Sequence, residues 1–372
     1  MRLRSVSLLI AGCVSITWPS ASATGQQLCS APYFVEQSFP VGGAAQTTWR
    51  ICWQTQPGWG LMITSAHFRK SPNAPFMRVF WDAYVSDIFV PYHPGSPRFY
   101  DLSGFGFDVT SVSAADCPAA VGGAVLAGRV CKEVHDRGLL WKDDAQVRRG
   151  QELVLWSAID AANYNYIVEW TFRDDGVILG RLGATAVNLP AIPLTAHMHN
   201  AVWRLDIDLN GFWGDAAHQG IHTENLPGNS ATDTDSLIPT ETGLEWNDLA
   251  FQSLDVFDAT LTNARGHATS YHLIPIRSGT ARHAEPFTQK DFWVTHYHYY
   301  ERRPTLPAYV SPPENVTNTD IVVWYWGSIH HVPRDEDGQY VNTYYWEGEA
   351  LVNWTGFMLK PNNLFDTTPF YP

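Results

Sequence analysis

Two histidines separated by one residue, His197 and His199, are the residues of this sequence that most directly suggest chemistry. Side chains alternate between the two faces of a β-strand, so both imidazoles point to the same side, about 7 Å apart along the strand. Neutral imidazole is a preferred ligand of copper and zinc. The pair therefore predicts a metal site, although two histidines on one strand face also occur without a metal.

The residues after the pair have the pattern of a strand that can position it. The face that carries the histidines continues with apolar residues, namely Ala201, Trp203, Leu205 and Ile207. The opposite face carries polar residues, namely Asn200, Arg204, Asp206 and Asp208. This alternation predicts that both imidazoles enter the buried side of a sheet.

The composition predicts an all-β fold. Of the 372 residues, 45% are hydrophobic and only 16% are charged, and the chain contains 16 Trp, 28 Gly and 24 Pro. Chains that are rich in aromatic and turn residues are typical of antiparallel sheets. Since no repeat or change of composition marks a second domain, we expect one domain over residues 47–372. Residues 24–46 are expected to form a loose lead-in.

Residues 1–23 have the features of a secretory signal: an early pair of arginines, an apolar run and an Ala-Ser-Ala cleavage site. Neither that run nor any other stretch is long enough to span a membrane. Because the signal contains two arginines and no acidic residue, its removal changes the formal net charge from −13 to −15. So acidic a protein is not expected to bind nucleic acid, and it would attract cationic substrates such as amines.

Export to an extracellular or periplasmic location would permit disulfides, and four cysteines remain after the signal. Four cysteines allow three pairings. Cys117 and Cys131 flank a Gly/Ala-rich loop and are favoured as a local pair, which leaves Cys29 with Cys52.

Three segments together are more specific than the His-x-His pair alone. Residues 163–166 read Asn-Tyr-Asn-Tyr, the histidine pair follows about thirty residues later, and residues 327–337 contain two adjacent histidines. Taken alone, the first segment is an ordinary aromatic strand. In this order, the segments resemble the catalytic domain of the secreted copper amine oxidases, and the resemblance extends over roughly residues 45–370.

The resemblance implies a large antiparallel β-sandwich and a copper enzyme that oxidises a small primary amine with O₂. The products would be an aldehyde, ammonia and H₂O₂. In this family, copper and O₂ convert one tyrosine into topaquinone. Tyr164 matches that tyrosine, with Asn163 and Asn165 beside it, and His197 and His199 match two copper ligands. A homodimer is also implied.

The third copper ligand is either His330 or His331. Strand parity places His330 on the face of Asp320, whereas His331 lies on the opposite face. The strand of the first two ligands also places its aspartates opposite its histidines. His331 is therefore the predicted ligand, provided that no bulge intervenes.

Three residues upstream resemble further parts of the family's active site. Tyr92 matches the tyrosine that orients the quinone, Asp101 the catalytic base, and Phe99 the side chain that gates the site. A carboxylate with this role benefits from a pKa that burial has raised.

The aspartates have a separate interpretation. Asp206, Asp208 and Asp320, with the backbone carbonyls of Ile207 and Ile321, resemble the family's structural calcium site. Hard oxygen ligands suit calcium. The alternative is that these carboxylates are solvated on an outer strand face.

The sequence departs from the family in ways that leave other functions open. Asn165 replaces the usual carboxylate, and Asp101 lacks the Gly-Glu/Asp that normally follows the catalytic base. One alternative is a copper-binding relative in which Tyr164 stays unmodified. Another is a secreted aromatic-rich binding module, which predicts exposed tryptophans and no metal. Burial of Trp170 and Trp203 would count against this last alternative.

Overall fold

The computed structural model of the protein describes residues 29–93, 96–117, 123–186, 195–225, 227–277, 279–280, 282–298, 306–334, 339–342, 345–347 and 352–368. The predicted signal at residues 1–23 lies outside them. Within the described residues, no helix is both long and apolar enough to cross a membrane.

The described chain is built almost entirely from β-strands. Their bounds are β1 Phe34–Phe39, β2 Thr47–Gln56, β3 Gly60–Arg69, β4 Met77–His93, β5 Ser96–Tyr100, β6 Ala124–Leu126, β7 Val130–Lys142, β8 Val147–Ala161, β9 Tyr164–Arg173, β10 Ile178–Ala186, β11 His197–Ile207, β12 Asp215–Asn225, β13 Ser230–Ile238, β14 Thr242–Leu244, β15 Gln252–Thr262, β16 Ala268–Ile276, β17 Phe292–His296, β18 Ile321–His331, β19 Gln339–Asn342, β20 Tyr345–Glu347 and β21 Asn353–Asn362. Two short helical turns, a 3₁₀ turn at Pro286–Gln289 and α1 at Leu306–Tyr309, complete the described elements.

Two large antiparallel sheets contain nearly all of these strands. The first has the order β1-β2-β3-β4-β11-β18-β17-β14, with β5 paired to β4, and the second has the order β13-β12-β15-β16-β21-β10-β9-β8-β7-β6. One apolar core contains buried residues from both sheets. The all-β class and the antiparallel sandwich are therefore confirmed.

Strands β9 and β11 contribute to the same core from opposite sheets. On β9, the buried face is formed by Tyr164, Tyr166, Val168, Trp170 and Phe172. Trp170 meets Trp203 of β11 at a ring-centroid distance of 5.3 Å and an interplanar angle of 87°, an edge-to-face geometry that aromatic pairs prefer. The predicted burial of the apolar face of β11 is thus confirmed.

The turn between β9 and β10 is the Asp-Asp-Gly sequence at residues 174–176. Gly176 has a φ of 84°, a backbone conformation that L side chains rarely adopt, and a Cβ there would lie 2.9 Å from Leu364. This turn returns the chain into an antiparallel neighbour of β9.

The opposite face of β11 is not exposed to solvent. A second apolar cluster that contains Phe287, Trp293 and Leu306 covers this side of the first sheet. Asp206 and Asp208 are therefore fully buried. The alternative of solvated carboxylates on an outer face is wrong for both, because the alternation on β11 separates two buried environments rather than core and water.

Residues 29–46, the described part of the predicted lead-in at residues 24–46, are also more ordered than expected. It contains β1, which pairs with β2 along its whole length. Burial of Val35 and Phe39 in the core stabilises this strand. The disulfides Cys29–Cys52 and Cys117–Cys131 are both formed, and the first attaches the start of the described chain to β2.

Candidate active site

Three histidines converge at one end of the core. His197 and His199 come from β11, and His331 comes from β18, where it lies directly opposite His197 in the strand register. All three are buried, and one ring nitrogen from each lies within 4.8 Å of the others. His330 is exposed instead. The structure therefore places the histidine selected by parity, His331, beside the pair.

Hydrogen bonds determine which ring nitrogens of the β11 pair carry protons. The Nδ1 of His197 lies 2.8 Å from the carbonyl oxygen of Thr195, so it must donate. The Tyr166 hydroxyl donates to Asp101 over 2.6 Å and lies 2.9 Å from the Nδ1 of His199. Since that hydroxyl has only one proton, it accepts from His199. In the neutral form of either ring, Nε2 is then the nitrogen that carries a lone pair.

These two Nε2 atoms lie 3.0 Å apart. Nitrogens that face each other at this distance can share a metal ion, or accept from a donor such as the Tyr164 hydroxyl, 2.6 Å from Nε2 of His197. Burial, reinforced by His197 and His331, lowers the pKa of His199 far below its usual range, which keeps the ring neutral. The third nitrogen, Nδ1 of His331, is 3.5 Å from Nε2 of His197. Three converging imidazoles form a donor set that fits copper or zinc.

Tyr164 directs its hydroxyl at the same point. Its oxygen is 2.6 Å from Nε2 of His197 and 2.9 Å from Nδ1 of His331. The residue is the first of β9, so the strand period that buries Trp170 also turns this phenol toward the histidines. A phenol in this position lies within reach of any metal that the three histidines hold.

Tyr92 supports Tyr164 from the side. Its ring stacks on His197 at 4.1 Å, and its hydroxyl hydrogen-bonds with the side chains of Tyr164 and Asn163. Burial raises the pKa of Tyr92 to about 12, an effect that these hydrogen bonds oppose and the charge of Asp101 reinforces. Tyr92 therefore keeps its proton near neutral pH.

Asp101 is the carboxylate nearest to this chemistry. It is buried and accepts the hydrogen bond from Tyr166. Burial raises the pKa of Asp101 to about 7; the hydrogen bond from Tyr166 opposes this effect, and the charge of Asp87 adds to it. A pKa near 7 is the value that suits a general base in neutral solution.

Asp87 is a second buried carboxylate, behind Asp101. It accepts hydrogen bonds from the backbone N–H of Ile88 and from the Ser103 hydroxyl, at 2.9 Å and 2.6 Å. Its negative charge contributes to the raised pKa of Asp101. Asp87 therefore influences the base without lining the pocket beside it.

Replacement of this charge is expected to move the pH dependence of catalysis. Asp87→Asn removes a like charge, so the pKa of Asp101 falls and its reactive ionised form persists to lower pH. The acidic limb of the kcat/KM profile should move downward by a fraction of a unit up to about one unit. Ser103→Ala, which removes a hydrogen bond but keeps the charge, is the matched control. An upward shift, or none, would contradict this account of Asp101.

A pocket of about 190 Å³ opens onto these residues. It is lined by Val90, Tyr92, Phe99, Asp101, Phe105, Phe107, Ala161, Ala162, Asn163 and Tyr164. Phe99, the predicted gating side chain, is among these residues. Asn165 is not among the lining residues, and its place beside the cofactor stays a prediction. Neighbouring residues of a strand point to opposite faces, and Asn165 is exposed.

Sequence reasoning did not assign a role to Tyr166 or Asp87. The sequence could have indicated a role for Tyr166, because it lies on the same face of β9 as Tyr164. Asp87 carried no such signal, since its proximity to Asp101 depends on the register in which β5 pairs with β4. A further cluster of His296, His298 and Glu314 was also missed. Its members form a hydrogen-bonded network with the buried carboxylate of Glu241.

The predicted calcium ligands have other partners. Arg204 forms an ion pair with Asp206 at 3.4 Å, and Arg78 pairs with Asp208 at 2.5 Å. Their carboxylate oxygens are also too far apart to form a compact site. Among the described residues, Asp206, Asp208 and Asp320 are not a group whose ligand atoms all lie within 4.8 Å of one another. Burial, together with Asp208, raises the pKa of Asp320 to about 6.

Comparison with known proteins gives one family. The model of the copper amine oxidase enzyme domain matches residues 126–371, about two thirds of the chain. Tyr164 and the three buried histidines fall within this match. Tyr92, Phe99 and Asp101 precede it.

Curated relatives match at low identity. The primary amine oxidase of Pisum sativum is 23% identical over 388 residues, which cover 83% of this chain and 56% of the relative. The histamine oxidase of Arthrobacter globiformis is 24% identical over 391 residues, which cover 83% of this chain and 54% of the relative. The chain thus spans about half the length of these relatives.

A solved structure supports the fold. The copper-containing benzylamine oxidase of Hansenula polymorpha superposes with a TM-score of 0.70 at 19% identity, covering 91% of this chain and 62% of that chain. At this identity, the similarity establishes the architecture alone.

Proposed function

Because the chain belongs to the copper amine oxidase family, we propose that it is an oxidoreductase that oxidises small primary amines at a copper centre held by His197, His199 and His331. In the balanced overall reaction, one amine, one O₂ and one water give one aldehyde, one ammonia and one H₂O₂. The three buried and converging imidazoles support this proposal.

We propose Tyr164 as the precursor of topaquinone. The conversion adds two oxygens to the tyrosine and removes two hydrogens. In the balanced equation, one tyrosine and two O₂ give one quinone and one H₂O₂. When bound, copper and the quinone supply the two-electron acceptor that ordinary side chains lack. The observation that carries the proposal is the position of the Tyr164 oxygen, 2.6 Å and 2.9 Å from nitrogens of two of the proposed ligands.

The remaining roles follow from the contacts of each side chain. Asp101, which faces the pocket beside Tyr164, would take the proton from the carbon next to the amine. Tyr166 holds Asp101 in place and also orients His199, so one hydroxyl connects the base to the metal site. Tyr92 positions Tyr164 by hydrogen bonding. Phe99 would gate access to the pocket.

Tyr164→Phe tests this proposal. The variant loses only the hydroxyl that faces the histidines, so it should bind copper but produce no H₂O₂ with any amine. A coupled peroxidase assay measures the product, and metal analysis confirms the loading. Tyr33→Phe, at a half-exposed tyrosine outside the site, is the control. Amine-dependent H₂O₂ from Tyr164→Phe would contradict the proposal.

Two other functions make different predictions. A copper-binding relative without the quinone would bind copper equally well but show no amine oxidation. A binding module needs exposed aromatic surface, whereas Trp170 and Trp203 are both 0% exposed. This burial counts against the binding module.

Location and assembly are proposals as well. Secretion is supported by the signal pattern at residues 1–23 and by two disulfides, which persist in oxidising compartments. A homodimer rests on the family resemblance alone.

Calcium binding near Asp206, Asp208 and Asp320 also remains a prediction. In its favour, Asp206 Oδ1 is buried with no hydrogen-bond partner among the described residues. Burial raises the pKa of Asp206 well above its usual range, and its aspartate neighbours reinforce the effect. The adjacent guanidinium groups of Arg204 and Arg78 already supply positive charge, which reduces the need for a cation.

A further inference from the structure

The pocket beside Tyr164 is walled by a chain of aromatic rings. Phe99 lies 5.8 Å from Phe105, and Phe105 lies 5.3 Å from Phe107 with the two rings nearly parallel. Phe99 also meets Tyr92 edge-on at 5.7 Å. Since Phe105 is 58% exposed, it marks the opening, and the rings connect the opening with the buried end.

The side chains that line the pocket include one charge, that of Asp101, which is buried. Among the ten described residues that line it, Asp101 is the only carboxylate. As the proposed base, Asp101 acts on the reacting end of the substrate. Asp108 follows the ring of Phe107 in sequence, but it pairs with Arg129 at 2.9 Å. Apart from Asp101, none of the described lining residues therefore offers a carboxylate to a second ammonium group.

Such a pocket is expected to bind an amine that has a second positive charge less favourably than one with an apolar tail. A diamine short enough to stay inside places its distal ammonium against phenylalanine rings. Removing that ammonium from water costs more than its attraction to aromatic faces returns. An apolar tail gains free energy instead, because each group that it buries leaves water.

From this distribution of rings and charge, we propose that the pocket selects primary monoamines with an apolar tail, such as arylalkylamines, over short diamines. The inference rests on the proposed amine oxidase function, and it assigns Phe105 as the residue that determines specificity at the mouth.

The experiment compares kcat/KM for 2-phenylethylamine and 1,4-diaminobutane on the copper-loaded full chain. The wild-type protein should prefer 2-phenylethylamine by at least roughly tenfold, the factor that burial of about two methylene groups contributes. Phe105→Asp places a carboxylate at the mouth and should shift the ratio toward the diamine by roughly fivefold or more. Phe251→Asp, at a ring 71% exposed and outside the pocket, should leave the ratio unchanged.

The outcomes separate this inference from the function on which it rests. Production of H₂O₂ with a preference for the diamine, or a Phe105→Asp ratio no different from that of Phe251→Asp, overturns the inference alone. Absence of H₂O₂ with every amine overturns the proposed function and the inference with it. A phenylhydrazine titration identifies this second case, because it counts reactive quinone independently of any amine preference.

Discussion

His331→Ala is expected to lose most of the bound copper, whereas His330→Ala should retain it. The two residues are adjacent, but only His331 directs a nitrogen at His197 and His199, and His330 is exposed. Side chains that merely support a ligand already change metal affinity by about 10- to 100-fold. Loss of a ligand should therefore weaken copper binding by more than roughly 100-fold.

Metal content after copper loading and dialysis, measured by atomic absorption, checks this prediction. The pair is a matched test, since both variants remove one imidazole from the same strand. Copper loss in His330→Ala together with retention in His331→Ala would mean that the register of β18 against β11 is shifted in solution.

Asp101→Asn is expected to form the quinone but to turn over about 10²- to 10⁴-fold more slowly than wild type, the range that one general base contributes. The asparagine oxygen can still accept the Tyr166 hydroxyl, so the support of His199 is retained. Only the ability to take a proton is lost. Quinone formation and catalysis should therefore separate in this variant.

Phenylhydrazine titration and kcat measured on the same sample test this separation. Wild-type kcat/KM should fall below pH about 7, because protonation of Asp101, whose pKa burial raises to about 7, removes the base. Near-normal turnover in Asp101→Asn would assign proton removal to another group. Failure to form the quinone would instead place Asp101 in cofactor formation.

Strand parity accounts for most of what the sequence could predict. A period of two fixes which side chains share a face, and it therefore selected His331 over His330 and buried Tyr164 with Trp170. Both results depend on local geometry that the chain order determines. The choice of family depended on the order of several short motifs, none of which was decisive alone.

Features created by tertiary packing were not predictable. Alternation on β11 separates two faces, but it does not reveal that a second apolar cluster covers the polar one and buries Asp206. The charge of Asp87 affects Asp101 because the antiparallel pairing of β5 with β4 brings the two carboxylates together. Asn165 was assigned to the cofactor by motif position, although the same parity rule places its side chain outside.

The mass of the peptide that contains Tyr164, measured before and after the apoprotein is loaded with copper in air, tests the central claim most directly. The account predicts a peptide that gains two oxygens and loses two hydrogens, with the change absent under anaerobic conditions and in His331→Ala. An unchanged Tyr164 in aerobic, copper-loaded protein would contradict the account and would favour a copper-binding relative without the quinone.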